Sequence, residues 1–185
     1  ELAGDTVIIS AYTNGSNDSF KLQQLDITVP DWNQESSTPT EYVYEAEDLN
    51  LYGYQVENLG SSIASGGKGI KLFKNRGAAA VNFTGATGEY DIVIGYYDEN
   101  DGQAKASLKV GGEKVDTWRF NQHTNSHLAT AENFEEHTID NVYLEAGEEL
   151  KVLGQRNYNE FARIDYIKVI ASDTTNVYAD TSAFQ

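Results

Sequence analysis

The chain has 185 residues, about one domain with room for part of another, and its 39% hydrophobic residues can form a packed core, which excludes disorder as the default. Its 13 basic and 29 acidic residues give a net charge of −16, which disfavours general nucleic-acid binding and binding to anionic membranes. The lack of Cys excludes disulfides and thiolate sites, and no apolar run approaches the ~18 residues of a membrane span.

Two segments of the chain share a pattern. Residues 3–9 and 146–152 each contain Ala-Gly followed by an acidic residue, and a polar loop and a strand with one Asp follow each of them. We interpret this as an internal repeat of a closing strand pair, which at the start of the chain either belongs to a preceding similar module or is an added β-hairpin. The predicted division is this strand pair at 1–30, a linker at 31–41, a complete module at 42–171 and a polar C-terminal extension at 172–185.

Alternating apolar and polar residues predict strands within the complete module. Residues 90–96 and 104–110 alternate, and the turn cluster at 98–102 between them predicts a hairpin. Further strands are predicted at 113–120 and 163–170. Regular strand spacing without a long amphipathic helix predicts an all-β fold, an antiparallel β-sandwich.

Three acidic residues near the two ends of the module could meet. Glu45 and Glu47 would point to the same side of a strand, and Asp165 lies on the last strand, which is commonly a neighbour of the first in a sandwich. Three converging carboxylates repel one another, whereas Ca²⁺ would remove that cost by accepting six to eight oxygens. A solvated edge strand without an ion is the alternative, and the spacing alone leaves both open.

Three short motifs carry a family resemblance. Tyr-Glu-Ala-Glu at 44–47, Ser-Gly-Gly-Lys-Gly at 65–69 and Ile-Asp-Tyr-Ile at 164–167 resemble, in order and spacing, the family 6 carbohydrate-binding modules and their family 35 relatives. The resemblance covers about residues 42–170 and implies a non-catalytic jelly-roll sandwich attached to polysaccharide-degrading enzymes. It also implies a structural calcium ion whose ligands would be Glu45, Glu47, Asp165 and a carbonyl near Lys68.

The resemblance also implies a sugar site in the loops at one end of the sandwich. There, two aromatic rings face each other, and the matching segments here are 72–77 with Phe73 and 133–137 with Phe134. Aromatic faces suit the C–H bonds of a pyranose, while its hydroxyl groups need polar partners. Leu72 is the alternative to Phe73, and Phe134 could equally fill the core beneath a loop.

The sequence departs from the family pattern at Arg163, where the family usually has Asn. A guanidinium matches carboxylate or sulfate groups, and Lys74 and Arg76 fall on segments expected at the same loop end. We therefore predict an anionic polysaccharide that carries uronic acid or sulfate groups. The alternative is that Arg163 pairs with Glu160 or another local acid and never meets the ligand.

Two tyrosines complete the candidate set. Tyr97, at the start of the turn cluster, could line a groove on the concave face of a sheet, and Tyr158 precedes the closing strand. The candidate carbohydrate-binding residues are Phe73, Lys74, Arg76, Tyr97, Phe134, Tyr158 and Arg163.

The predicted function is a non-catalytic, secreted carbohydrate-binding module that targets a parent enzyme to a marine or plant polysaccharide. The expected partners are a polysaccharide or oligosaccharide, the catalytic domain of the parent enzyme and tandem similar modules. Two alternatives stay open: a small jelly-roll polysaccharide lyase or glycosidase, and a calcium-stabilised spacer or adhesion domain without a sugar ligand. The small size of the chain and the assignment of the three best-placed acidic residues to an ion favour a module without catalysis.

Overall fold

A computed structural model describes residues 40–121 and 126–172, which contain eleven strands and two short 3-10 turns. The predicted strand pair at 1–30, nearly all of the linker and the extension beyond residue 172 lie outside the described residues. No described helix is long and apolar enough to cross a membrane. The strands are β1 Glu41–Glu45, β2 Asn50–Tyr52, β3 Tyr54–Asn58, β4 Lys68–Leu72, β5 Arg76–Asn82, β6 Gly88–Tyr97, β7 Lys105–Val110, β8 Glu113–Arg119, β9 Phe134–Leu144, β10 Glu149–Gln155 and β11 Arg163–Ala171; the turns are Ala46–Asp48 and Ser65–Gly67.

The strands form two antiparallel sheets, which confirms the predicted all-β sandwich. Sheet A has the order β3-β4-β11-β6-β9, with β1 also paired to β11, and sheet B has the order β2-β5-β10-β7-β8. Alternate residues of both sheets point into one core, where Ile92, Leu108, Leu150 and Ile167 are fully buried. The first and last strands of the module are neighbours, as the sequence predicts.

The predicted hairpin between residues 90–96 and 104–110 is wrong. β6 lies in sheet A and β7 in sheet B, so the turn cluster crosses from one sheet to the other. Both strands still bury their alternating apolar residues, because the two sheets face the same core. The tight hairpin lies one strand later, between β7 and β8, where Gly111 and Gly112 have φ of +55° and +92° and supply the left-handed turn that joins twisted strands.

A stacked pair of rings and a hydrogen bond join the two sheets at one open side of the sandwich. Trp118 on β8 of sheet B stacks on His137 of β9 in sheet A with ring centres 4.4 Å apart. His137 Nε2 lies 2.6 Å from Asp116 Oδ2, and this contact lowers the pKa of Asp116. Edge strands of the two sheets are thereby joined by side chains where no backbone ladder connects them.

Two neighbouring glycines leave space for a core tyrosine. Gly77 on β5 and Gly154 on β10 are register partners, and a Cβ at Gly154 would overlap the Tyr54 hydroxyl. That hydroxyl is buried and has no hydrogen-bond partner among the described residues. The glycines at these positions are therefore required by packing and not by backbone conformation.

We expect Gly154→Ala to lower the free energy of unfolding by about 1–3 kcal/mol, because the added methyl group is forced against Tyr54. Tyr54→Phe should be neutral or stabilising, since it removes a buried hydroxyl group without a partner. The double variant should recover part of the loss, which a double-mutant cycle in urea measures. Strictly additive effects would contradict the proposed contact.

Candidate functional site

The three candidate acidic residues come together, although not all from strands. β1 ends at Glu45, and Glu47 lies in the following 3-10 turn, which corrects the expectation of one continuous strand. Ala46 between them is fully buried, so the turn directs this residue into the core. Glu45 is the register partner of Tyr166, which places it beside Asp165 at the bulge in β11.

The Ser65–Gly67 turn contacts all three carboxylates. The Ser65 hydroxyl donates to Glu45 Oε1 at 2.7 Å, and the Ser65 backbone N–H donates to Asp165 Oδ2 at 3.1 Å. A Cβ at Gly66 would lie only 3.2 Å from Glu47 Oε1. Gly66 also has φ of +61°, so both the close approach and the backbone conformation favour glycine there.

Three further carboxylate oxygens of these residues are buried and have no hydrogen-bond partner among the described residues: Glu45 Oε2, Glu47 Oε2 and Asp165 Oδ1. Burial, together with the charges of Glu45 and Glu47, raises the pKa of Asp165 to about 6, against the lowering effect of the Ser65 N–H. Such desolvated oxygens are costly unless they meet a proton or a cation.

The donor set fits a hard cation. The three orphaned oxygens are carboxylate oxygens, which Ca²⁺ prefers as ligands. Lys68, whose carbonyl the resemblance offers as a further ligand, begins β4 directly after the turn that contacts the carboxylates. Within residues 40–121 and 126–172, no three acidic or histidine side chains converge closely enough to form a metal-binding group. The three carboxylates contact the Ser65–Gly67 turn, but they do not point to one common position.

An exposed aromatic patch lies where the β4–β5 turn meets the end of β2. We define it as Tyr52, Phe73 and Lys74; the two rings are 67% and 52% exposed. Lys74 Nζ lies 4.7 Å from the centre of the Tyr52 ring and 5.6 Å from that of Phe73. The backbone N–H groups of Phe73 and Lys74 both donate to the Gly53 carbonyl, which joins the two segments. The sequence analysis missed Tyr52, although its position beside Gly53 at a strand end is a usable signal.

Tyr158 is even more exposed, at 80%, and has φ of +50° in the loop before β11. The Arg156 side chain donates through Nε to the Tyr158 carbonyl at 2.7 Å. The Arg156 backbone N–H donates to the Asn75 carbonyl, so the loop of Tyr158 adjoins the turn that carries the aromatic patch. Tyr158 therefore keeps an accessible position at the loop end.

Arg163 is not available to an anionic ligand, which corrects the sequence expectation. It is only 5% exposed, and its guanidinium donates to Glu57 Oε2 at 2.7 Å and to Glu99. Burial alone would raise the pKa of Glu57, but hydrogen bonds from Arg163 and Lys71 hold it below its ordinary value. The structure matches the alternative of a local acidic partner, with Glu57 and Glu99 in place of Glu160.

Tyr97 does not line an open groove, which is a second correction. Its ring is fully buried because the loop before β4 folds over it, and its hydroxyl donates to the Ile63 carbonyl at 2.8 Å. Phe134 is partly buried against Tyr97 and Tyr166, with ring centres 5.5 and 5.9 Å away, and lines a cavity of about 310 Å³ with residues 61–65. Phe73 and Phe134 therefore belong to two different clusters.

Arg76 is exposed at the start of β5, on the outer face of sheet B opposite Gln155 of β10. The three cations expected at one place are thus separated: Lys74 lies over the aromatic patch, Arg76 on a sheet face and Arg163 in the interior. Their common position in the sequence motifs did not predict a common surface.

Glu160 joins two of the loops at this end. It is fully buried and accepts hydrogen bonds from the backbone N–H groups of Glu99 and Ala104, at 3.1 and 2.8 Å. Burial raises the pKa of Glu160 to about 8; the Ala104 N–H lowers it, and the charges of Asp98 and Asp101 raise it. The loop end is therefore built around a buried carboxyl group that two backbone N–H groups hold in place.

Solved structures share this architecture. A family 35 carbohydrate-binding module from Clostridium thermocellum matches 72% of the chain and 99% of its own length, with a TM-score of 0.57 and 18% identity. The C-terminal family 6 module of a laminarinase from Zobellia galactanivorans matches 71% of the chain and 99% of its own length, with a TM-score of 0.50 and 17% identity. The chain has the fold of the family 6 and family 35 carbohydrate-binding modules. The resemblance stated from the three sequence motifs is confirmed.

Sequence comparison finds larger enzymes. Alpha-glucuronidase A of Aspergillus tubingensis is 31% identical to the chain over 135 residues, which cover 68% of the chain but only 16% of that enzyme. The chain therefore spans about a sixth of the length of the curated relatives it matches. No family model matches the chain.

The raised pKa of Glu160 predicts a pH dependence of stability. The folded module keeps a proton that the unfolded chain releases above ~4.3, so this stabilisation is complete below that pH and is lost as the pH rises through about 8. Glu160→Gln should therefore lose less unfolding free energy between pH 5 and pH 8 than the wild type, as measured by urea titrations. The exposed Glu132→Gln is the control, and equal slopes for Glu160→Gln and the wild type would contradict the prediction.

Proposed function

We propose that the described residues form a non-catalytic carbohydrate-binding module that directs an attached polysaccharide-degrading catalytic domain to its glycan outside the cell. The observation that carries this proposal is the aromatic patch at the loop end, on a fold shared with family 6 and family 35 modules. The match to a short part of an alpha-glucuronidase supports a glycosidase catalytic domain as the partner of the module.

The patch has the chemistry that a sugar needs. Tyr52 and Phe73 expose ring faces that can pack against the C–H bonds of a pyranose, and Lys74 supplies a donor between them. Tyr158 adds a third exposed ring on the adjoining loop. One such site binds weakly, with a dissociation constant in the micromolar to millimolar range, roughly −4 to −8 kcal/mol.

The acidic residues near the loop end support binding without catalysis. A glycosidase needs two accessible carboxyl groups about 5–10 Å apart on either side of the sugar. Glu99 is buried and paired with Arg163, and both oxygens of Glu160 accept backbone N–H groups. Neither carboxyl group is therefore placed to transfer a proton to a glycosidic oxygen.

The ligand class that we propose is a glycan with uronic acid or sulfate groups. The curated relative is named an alpha-glucuronidase, which makes uronic acid units the first class to test. Lys74 offers one cation within the aromatic patch, in a chain whose net charge of −16 otherwise repels anions. Arg163 plays no part in this proposal, because its guanidinium is buried and paired.

We expect Phe73→Ala to weaken glycan binding by roughly tenfold, the loss of about 1.4 kcal/mol of ring contact. Affinity electrophoresis through gels that contain soluble glucuronoxylan, pectin, galactan or laminarin measures the effect. Tyr143→Ala is the matched control, since Tyr143 is also exposed but lies at the far end of β9. Wild-type retention of Phe73→Ala would exclude the patch as the site, and failure of the wild type to bind any glycan would contradict the proposed function.

We also propose a structural calcium ion held by Glu45, Glu47 and Asp165, with a carbonyl near Lys68. The three buried oxygens without hydrogen-bond partners support it. The ion would neutralise the mutual repulsion of the carboxylates and fix the Ser65–Gly67 turn between β1 and β11. Its role would be stability and not contact with the sugar, because the aromatic patch lies on other segments.

Chelation should therefore lower the melting temperature. Calcium at 100 times its dissociation constant adds ~2.7 kcal/mol, which corresponds to a shift on the order of 10 °C for a domain of this size. Calorimetry with EDTA and with added calcium measures the shift. Glu47→Gln should melt at a lower temperature and respond much less to calcium, while Glu113→Gln, an exposed acidic position, should keep the full response. A melt unchanged by EDTA would count against the ion.

A further inference from the structure

A groove crosses the outer face of sheet B at the strand ends next to the turn that carries the aromatic patch, and it is lined by residues that belong neither to that patch nor to the carboxylate cluster. Two cavities of about 290 and 250 Å³ lie on either side of Lys105 and Gln155, and both residues line both cavities. The first cavity extends to Arg76, and the second extends to Arg119 and Arg156. The two cavities therefore form one continuous surface, which we name the basic groove.

The strand register explains why the cations are aligned. Gln155 on β10 is opposite Arg76 on β5 and Lys105 on β7, and Lys105 is opposite Arg119 on β8. These four side chains form one row across four neighbouring strands. With strands ~4.8 Å apart, the row from Arg76 to Arg119 spans about 14 Å, enough for a short segment of a glycan chain.

The charge of the groove is opposite to that of the protein. The chain carries 29 acidic and 13 basic residues, yet four basic residues and no acidic residue line the groove among the described residues. Arg76, Lys105 and Arg119 form no ion pair within residues 40–121 and 126–172, whereas Lys71, Lys151 and Arg163 each contact a carboxylate. Although acidic residues outnumber basic ones in the chain, no described Asp or Glu lines the groove.

The row is also unfavourable in the absence of an anion. Lys105 and Arg119 are cross-strand partners, and like charges directly opposite each other in an antiparallel pair destabilise a sheet. A bound anion would remove this repulsion, so the arrangement fits a binding surface better than a purely structural one.

The other lining residues fit a sugar chain. The side chains of Gln103, Gln155 and Asn157 offer neutral amide groups for hydroxyl groups, and Ser107 and Leu153 form a low floor. No aromatic side chain among the described lining residues offers a base-stacking platform, and the net charge of −16 opposes a nucleic acid. Cations beside amide groups therefore favour a substituted sugar over a polynucleotide.

We propose that the basic groove is a second binding surface, which takes the carboxylate or sulfate groups of an anionic polysaccharide through Arg76, Lys105, Arg119 and Arg156. The proposal rests on the proposed function and locates its anionic selectivity on the outer face of sheet B, on residues other than those of the aromatic patch. The aromatic patch would contact the sugar rings of one segment, and the groove the charged substituents of another.

The test uses the full chain and two matched pairs of polymers: polygalacturonate with its fully methyl-esterified form, and dextran sulfate with dextran. Titration calorimetry at several salt concentrations should show binding to one or both anionic polymers, weaker binding to their neutral partners, and a loss of affinity as salt increases. The anionic member that binds more tightly identifies carboxylate or sulfate as the natural group.

The double variant Lys105→Gln/Arg119→Gln should bind the preferred anionic polymer at least tenfold more weakly. Its melting temperature should be unchanged or higher, because the cross-strand repulsion is gone, so loss of binding cannot be attributed to unfolding. Lys114→Gln removes an exposed cation at the other end of β8 and should bind within twofold of the wild type.

Three results would overturn the groove: wild-type affinity of the double variant, an equal loss in Lys114→Gln, or tighter binding of double-stranded DNA than of either anionic polymer. Failure of the groove is separable from failure of the proposed function. If the double variant binds as the wild type does while Phe73→Ala loses affinity for a glycan, the proposed function is supported and the proposed groove is contradicted. If no polymer or glycan is bound at all, both fall.

Discussion

The antiparallel pairing of β1 with β11 is the contact on which the other features depend. Five register pairs join the two strands and place Glu45 beside Asp165, residues that are far apart in the sequence. β11 also pairs with β4 and β6, and it carries Asp165, the buried Arg163 and Tyr166, which lines the Phe134 cavity. A cation among the carboxylates would therefore act on the strand that connects most of sheet A.

The positions of the strands, and the pairing of the first strand of the module with the last, could be predicted from the sequence. Period-two alternation depends only on neighbouring residues, and it located the strands around Ile92 and Leu108 without reference to their partners. The pairing of the first strand with the last, which brings Glu45 beside Asp165, was predicted from a general rule of sandwich closure. These inferences succeeded because each rests on a local pattern or on a feature common to the fold class.

The assignment of strands to sheets could not be predicted in the same way. An alternating strand buries one face in either sheet, so the pattern around the 98–102 turn is equally compatible with a hairpin and with a crossing between sheets. Arg163 was misplaced because its partners, Glu57 and Glu99, come from distant segments. The basic groove was not foreseen for the same reason, since its row draws one residue from each of β5, β7, β8 and β10, of which only β7 and β8 are consecutive in the chain.

The pairing of β1 with β11 also determines where the described sandwich begins and ends. The Ala171 N–H donates to the Thr40 carbonyl at 3.0 Å, so the chain enters and leaves the sandwich side by side. Both connections lie at the opposite end of β11 from the loops that carry Phe73 and Tyr158. The exposed rings of Phe73 and Tyr158 therefore lie at the end of the sandwich remote from residues 40 and 171.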